Sequence, residues 1–113
     1  MPGQSVFDMP FLRIYPLLLQ KAEKKGRTKE EVDAVICWLT GYRAVEEIGD
    51  VTYGAFIRQA PAWYPAAGKI TGTVCGVRVE DIENPDMKKV RQLDKLIDEL
   101  AKGRSLDKVL RQG

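Results

Sequence analysis

Arg78, Glu80, Asp81 and Glu83 crowd one short stretch of this chain, and Arg91 and Asp94 follow close behind. An arginine set among carboxylates can hold a small anion, and a carboxylate whose pKa is raised by burial can act as a general acid or base. The same residue types also build plain salt-bridge networks between neighbouring elements. Trp38 could add a stacking surface, so Arg78, Glu80, Arg91, Asp94 and Trp38 form the candidate ligand-binding set.

Cys75, between Val74 and Gly76, would be a nucleophile only if a helix N-terminus or Arg78 lowered its pKa. Otherwise it packs as a small hydrophobe, as Cys37 does, and the two are too far apart for a C-x-x-C pair. The chain has no histidine. That removes Ser-His-Asp and Cys-His nucleophile activation, along with the commonest acid-base group near neutral pH. No metal and no cofactor are expected from what remains.

Lys21, Lys24, Lys25, Arg27 and Lys29 make a basic cluster that could contact a phosphate backbone, and Lys102, Arg104, Lys108 and Arg111 make another near the C-terminus. Glu23, Glu30, Glu31 and Asp107 are interleaved with them. With 18 basic against 16 acidic residues the net charge is only +2, so a solvated helix surface accounts for both clusters as well as nucleic acid does.

The elements that must position these groups read mainly as helices. With 113 residues, 44% of them hydrophobic and 30% charged, the chain suits a single domain with one core. Its longest apolar run, Leu17 to Leu19, ends at Gln20 and Lys21, far short of the roughly 20 residues a bilayer crossing needs. A cytoplasmic location, without a membrane partner, is the expectation.

Asp8 and Pro10 punctuate the start of a first helix and Gly26 its end, with a turn or kink predicted near Tyr15 because Pro16 lacks an amide hydrogen. Thr28 and Glu31 form a capping box for a second helix reaching Thr40, whose stripe is Val32, Val35, Ile36 and Leu39 and whose stop is Gly41. A short turn from Ala44 to Ile48 and a short helix from Tyr53 to Ala60, capped by Thr52, come next. Two prolines and a glycine make residues 60–68 a loop carrying Trp63 and Tyr64.

Residues 70–82 carry both signals. β-Branched side chains favour a strand, yet Ile70, Val74 and Val77 fall at helical spacing, and no second convincing strand is available as a partner. A buried helix is favoured, with Gly68, Gly72 and Gly76 lining a groove for another helix. Asn84-Pro85 opens a long helix to Lys102, closed by Gly103, with Met87, Val90, Leu93, Ile97 and Leu100 as its seam. Ser105 caps a short last helix carrying Leu106, Val109 and Leu110. The expected fold class is all-α, with α+β and a short strand at residues 70–80 as the alternative.

Lys21-Ala-Glu-Lys-Lys-Gly-Arg-Thr28, Glu31-Val-Asp33, Trp38-Leu-Thr-Gly-Tyr42, Ile70-Thr-Gly72, Cys75-Gly76, Arg78-Val-Glu80 and the run from Leu93 to Gly103 together resemble the bacterial family called domain of unknown function 2200. The resemblance runs from Met9 to Leu110. It departs at Trp63-Tyr64, where an asparagine is common, and at Asn84-Pro-Asp-Met87, where a more apolar version is typical. The resemblance implies a small bacterial protein and transfers no catalytic residue.

Packing and charge together give the leading expectation of a binding or protein-interaction module that self-associates as a homo-oligomer, through the Pro85–Lys102 seam or the glycine-lined segment. One alternative is a nucleic-acid-binding domain using the Lys21–Lys29 cluster. Another is a small enzyme or ligand binder using the arginine and carboxylates.

Overall fold

The computed structural model describes residues 6–64, 70–74 and 76–109. Helix α1 spans Phe11–Glu23, α2 Lys29–Thr40, α3 Tyr53–Arg58, α4 Pro85–Ala101 and α5 Leu106–Val109. Between α3 and α4 lies a hairpin of two short strands, β1 Thr73–Val74 and β2 Val77–Arg78. One-turn 3-10 segments occur at Val6–Asp8, Val45–Glu47 and Val79–Asp81. The architecture is mainly helical with a small antiparallel sheet. Among the described residues, no helix is long and apolar enough to cross a membrane.

Phe11, Ile14, Leu18 and Ala22 lie three or four apart along α1 and are its buried stripe. The helix has no side-chain cap at Pro10. Its entry is instead pinned to the start of α3. Phe11 N–H donates to the Val51 carbonyl (2.7 Å), and Tyr53 N–H donates to the Met9 carbonyl (2.7 Å). Asp8 therefore does not cap α1, and the helix runs through Pro16 without the expected break at Tyr15. Pro16 is the sixth helical residue, where its missing N–H forfeits only the bond to the carbonyl of Leu12, a residue that is 55% exposed.

The capping box of α2 forms as the sequence predicts. Glu31 N–H donates to Thr28 Oγ1 (3.2 Å) and Thr28 N–H donates to Glu31 Oε1 (3.0 Å). At the other end Gly41 takes a left-handed φ of 86°. The loop that follows then caps the helix from outside. Ala62 N–H donates to the Thr40 carbonyl (3.0 Å) and Tyr64 N–H to the Leu39 carbonyl (2.8 Å), satisfying acceptors that a helix end leaves open. Thr52 caps α3 by accepting from Ala55 N–H (3.1 Å), and Asn84 caps α4 by accepting from Met87 N–H (3.0 Å).

Residues 70–82 do not form the favoured helix. Thr73 pairs with Arg78 and Val74 with Val77 in an antiparallel register, so the missing strand partner lies within the segment itself. Gly72 (φ 108°) and Gly76 (φ 78°) take backbone conformations that a right-handed helix cannot hold. The glycine groove for a neighbouring helix is likewise absent. Gly76 has open space where a Cβ would stand, Gly72 faces the flexible end of Lys95, and Gly68 lies outside the described residues. The hairpin is held to α4 by Lys95 Nζ, which donates to the Thr73 carbonyl (3.1 Å).

One core joins these parts. Val90, Leu93, Leu96, Ile97 and Leu100 of α4 are buried together with the stripes of α1 and α2 and with Tyr53, Phe56 and Ile57 of α3. The α4 seam is thus largely covered within the chain. Its one partly covered member is Met87.

Gly41→Ala should lower stability by about 2–3 kcal/mol, since an alanine there meets Ala62 N at 2.7 Å besides adopting a left-handed backbone. Gly26→Ala, with the same sign of φ and no atom within 4 Å, should lose about 1 kcal/mol. Urea unfolding of the two variants measures the difference, and equal losses would mean that the 61–64 loop does not rest on Gly41.

Candidate functional site

Where α1, α3 and α4 converge, three round helices leave a cavity of about 200 Å³. Ile14, Leu17 and Leu18 supply one wall from a single face of α1, and Val90 faces them from α4. Leu17, 56% exposed, stands where the cavity meets solvent. The polar lining comes from Tyr53, at the start of α3, and from Arg91 and Asp94 on α4.

These three side chains are unequally satisfied. Arg91 Nη1 donates to Asp94 Oδ2 at 3.1 Å, a single bond that leaves the other carboxylate oxygen and the remaining guanidinium N–H groups outside it. Tyr53 is 1% exposed, and its hydroxyl is buried without a hydrogen-bond partner among the described residues. Burial, and then the negative field of Asp94, push the Tyr53 phenol above its ordinary pKa, with Arg91 opposing. It is a neutral O–H donor at any physiological pH. Burial also raises the Asp94 carboxyl, against the pull of Arg91 and Lys21. The result is a largely apolar chamber beside one singly bonded ion pair, an arrangement suited to recognition.

The sequence-predicted ligand set is divided by the fold. Arg91 and Asp94 reach the cavity; Arg78, Glu80 and Trp38 do not line it. Arg78 pairs with Glu80 (3.7 Å) and Asp81 (3.9 Å) on the exposed hairpin. Glu80 Oε1 accepts from Gly72 N–H (2.9 Å), a bond that holds the Glu80 carboxyl below its usual range. That carboxylate ties the hairpin together. Trp38 packs on Tyr64 with ring centroids 4.1 Å apart, and Trp63 Nε1 donates to Gln92 Oε1 (3.1 Å), so both indoles anchor the 61–64 loop. Cys75 lies outside the described residues, while Cys37 is a half-buried free thiol whose pKa burial pushes up.

The basic cluster is largely neutralised within the chain. Lys21 pairs with Asp98 (3.4 Å), Arg27 with Glu31 (2.5 Å), and Lys29 with Asp33 (2.7 Å) and Glu46 (3.3 Å), leaving Lys24 and Lys25 exposed. Tyr15 also donates its hydroxyl to Asp33, and burial with that carboxylate pushes its pKa up to about 12. In the C-terminal cluster Lys102 pairs with Asp98 (3.0 Å) and Arg104 with Glu99 (3.4 Å), and Arg111 lies outside the described residues.

Sequence reasoning missed Tyr53 and the α1 wall. Ile14 and Leu18 read as ordinary core positions, and nothing in a sequence marks which buried hydroxyl will lack a partner.

A family model described as an uncharacterized protein conserved in bacteria (DUF2200) matches residues 5–111. The crystal structure of uncharacterized protein SP1917 is similar to this chain, with 46% identity, a TM-score of 0.90, and coverage of 97% of this chain and 93% of that one. No curated protein matches the sequence.

Because its hydroxyl has no hydrogen-bond partner among the described residues, Tyr53→Phe should leave stability unchanged or raise it by about 1 kcal/mol in chemical unfolding of the ligand-free protein. A loss larger than that would reveal a partner for the hydroxyl. Asp94 holds its proton more tightly when folded than unfolded, so the folded state binds more protons between the two pKa values and stability falls as pH rises through them. Relative to Asp94→Asn, the wild type should therefore lose melting temperature as pH rises from below the ordinary aspartate range through the raised folded-state value. A flat or opposite trend would contradict the raised pKa.

Proposed function

We propose that this chain, which belongs to the DUF2200 family of proteins conserved in bacteria, is a cytoplasmic binding module that holds a small molecule between α1, α3 and α4. The observation that carries this is the cavity itself, walled by Ile14, Leu17, Leu18 and Val90 with the Arg91–Asp94 pair and Tyr53 at its side. The free thiol of Cys37 suits a reducing compartment.

At about 200 Å³ the cavity is smaller than the roughly 300–1,000 Å³ of typical drug-sized sites, so its occupant is a compact molecule. Self-association through the α4 seam is set aside in favour of this site, because Val90, Leu93, Ile97 and Leu100 already sit in the chain's own core. Nucleic-acid binding has weaker support. Lys21, Arg27 and Lys29 are committed to carboxylates of the same chain, and phosphate contacts would have to displace them.

An NMR screen of a compact-fragment library against the 15N-labelled protein tests the proposal. Amide shifts should gather at Ile14, Leu18, Tyr53, Val90 and Asp94. Leu17→Trp, a change at the exposed mouth, should weaken every such hit by about ten-fold while preserving the melting temperature. A screen whose hits fall elsewhere, or yields none, would refute it.

A further inference from the structure

The charge pattern of the cavity narrows the class of ligand, on the premise that the cavity is the binding site. Its walls at Ile14, Leu17, Leu18 and Val90 are aliphatic. Its polar end carries one positive group, one negative group and one neutral donor, in Arg91, Asp94 and Tyr53. A ligand bearing a single charge would engage one member of the Arg91–Asp94 pair and leave the other without its match in a mostly covered place. A neutral ligand would answer neither member of the pair. A ligand with both charges carried on one carbon answers both members, with an ammonium on the Asp94 oxygen that Arg91 leaves free and a carboxylate on the unused guanidinium N–H groups.

Arg91 and Asp94 are three apart on α4, so their charged ends stand side by side over one turn. That matches the short separation of the charges in an α-amino acid. A cavity of about 150 Å³ takes one benzene ring, so about 200 Å³ admits a branched aliphatic or single-ring side chain. We propose that the cavity binds a small zwitterion of the α-amino-acid type with an apolar side chain, seated between Arg91 and Asp94 at its head and Ile14, Leu18 and Val90 along its body.

The test titrates 15N-labelled protein with L-leucine and with three molecules that share its hydrocarbon body but not its charges: isocaproate, which lacks the ammonium, isoamylamine, which lacks the carboxylate, and isobutanol, which lacks both. L-Leucine should shift the amides of Ile14, Leu18, Val90, Arg91 and Asp94 saturably, and each of the others should bind at least about ten-fold more weakly. Asp94→Asn should weaken L-leucine while improving isocaproate, a reversal that general loss of structure cannot produce. Equal or tighter binding of isocaproate, isoamylamine or isobutanol at these residues overturns the zwitterion assignment. If L-leucine and L-phenylalanine leave these residues unmoved while other fragments shift them, the ligand class is wrong and the binding site stands. If no molecule shifts them, both fall.

Discussion

Leu93, Leu96, Ile97 and Leu100 are fully buried along α4, and α1, α2, α3 and α5 all close on that one helix. Each such side chain contributes about 1.5–3 kcal/mol when taken out of water, and α4 is the element on which the other four helices meet. This also fixes where the packing fails to close. Near the N-terminal half of α4 the turns carrying Val90, Arg91 and Asp94 meet α1 and the first residue of α3, and cylinders crossing at one point cannot fill the space between them. The cavity is therefore a consequence of how α4 is used.

Tyr53 is what makes that space chemically distinct. Its ring belongs to the core, stacked 5.5 Å from Phe56, while its backbone N–H is committed to Met9. An empty apolar cavity is tolerable to a protein, but a fixed donor with no acceptor is a standing cost.

Much of the fold was legible in the sequence where local chemistry decides it. Thr28 with Glu31, Gly41, Thr52 and Asn84-Pro85 each act through bonds spanning three or four residues, and each marks a real boundary. Errors arose where distant contacts decide. Asp8 looked like a cap, but the entry to α1 is set by Val51 and Tyr53, some forty residues on. Residues 70–82 looked helical because their strand partner was sought elsewhere in the chain. The seam of α4 looked like an interface because one helix read alone cannot reveal that α1, α2 and α3 will cover it. Of the candidate site, Arg91 and Asp94 were visible as charged residues, but their separation from Arg78 and Glu80 and their meeting with Tyr53 are tertiary facts.

The most direct test of the account follows Tyr53. In protein labelled with 13C at tyrosine Cζ, addition of a fragment that binds the chain should move the Tyr53 resonance, as the cavity this residue lines is filled, and leave Tyr15, Tyr42 and Tyr64 in place. A Tyr53 resonance that stays fixed while a ligand saturates the protein would contradict the assignment of this cavity as the binding site.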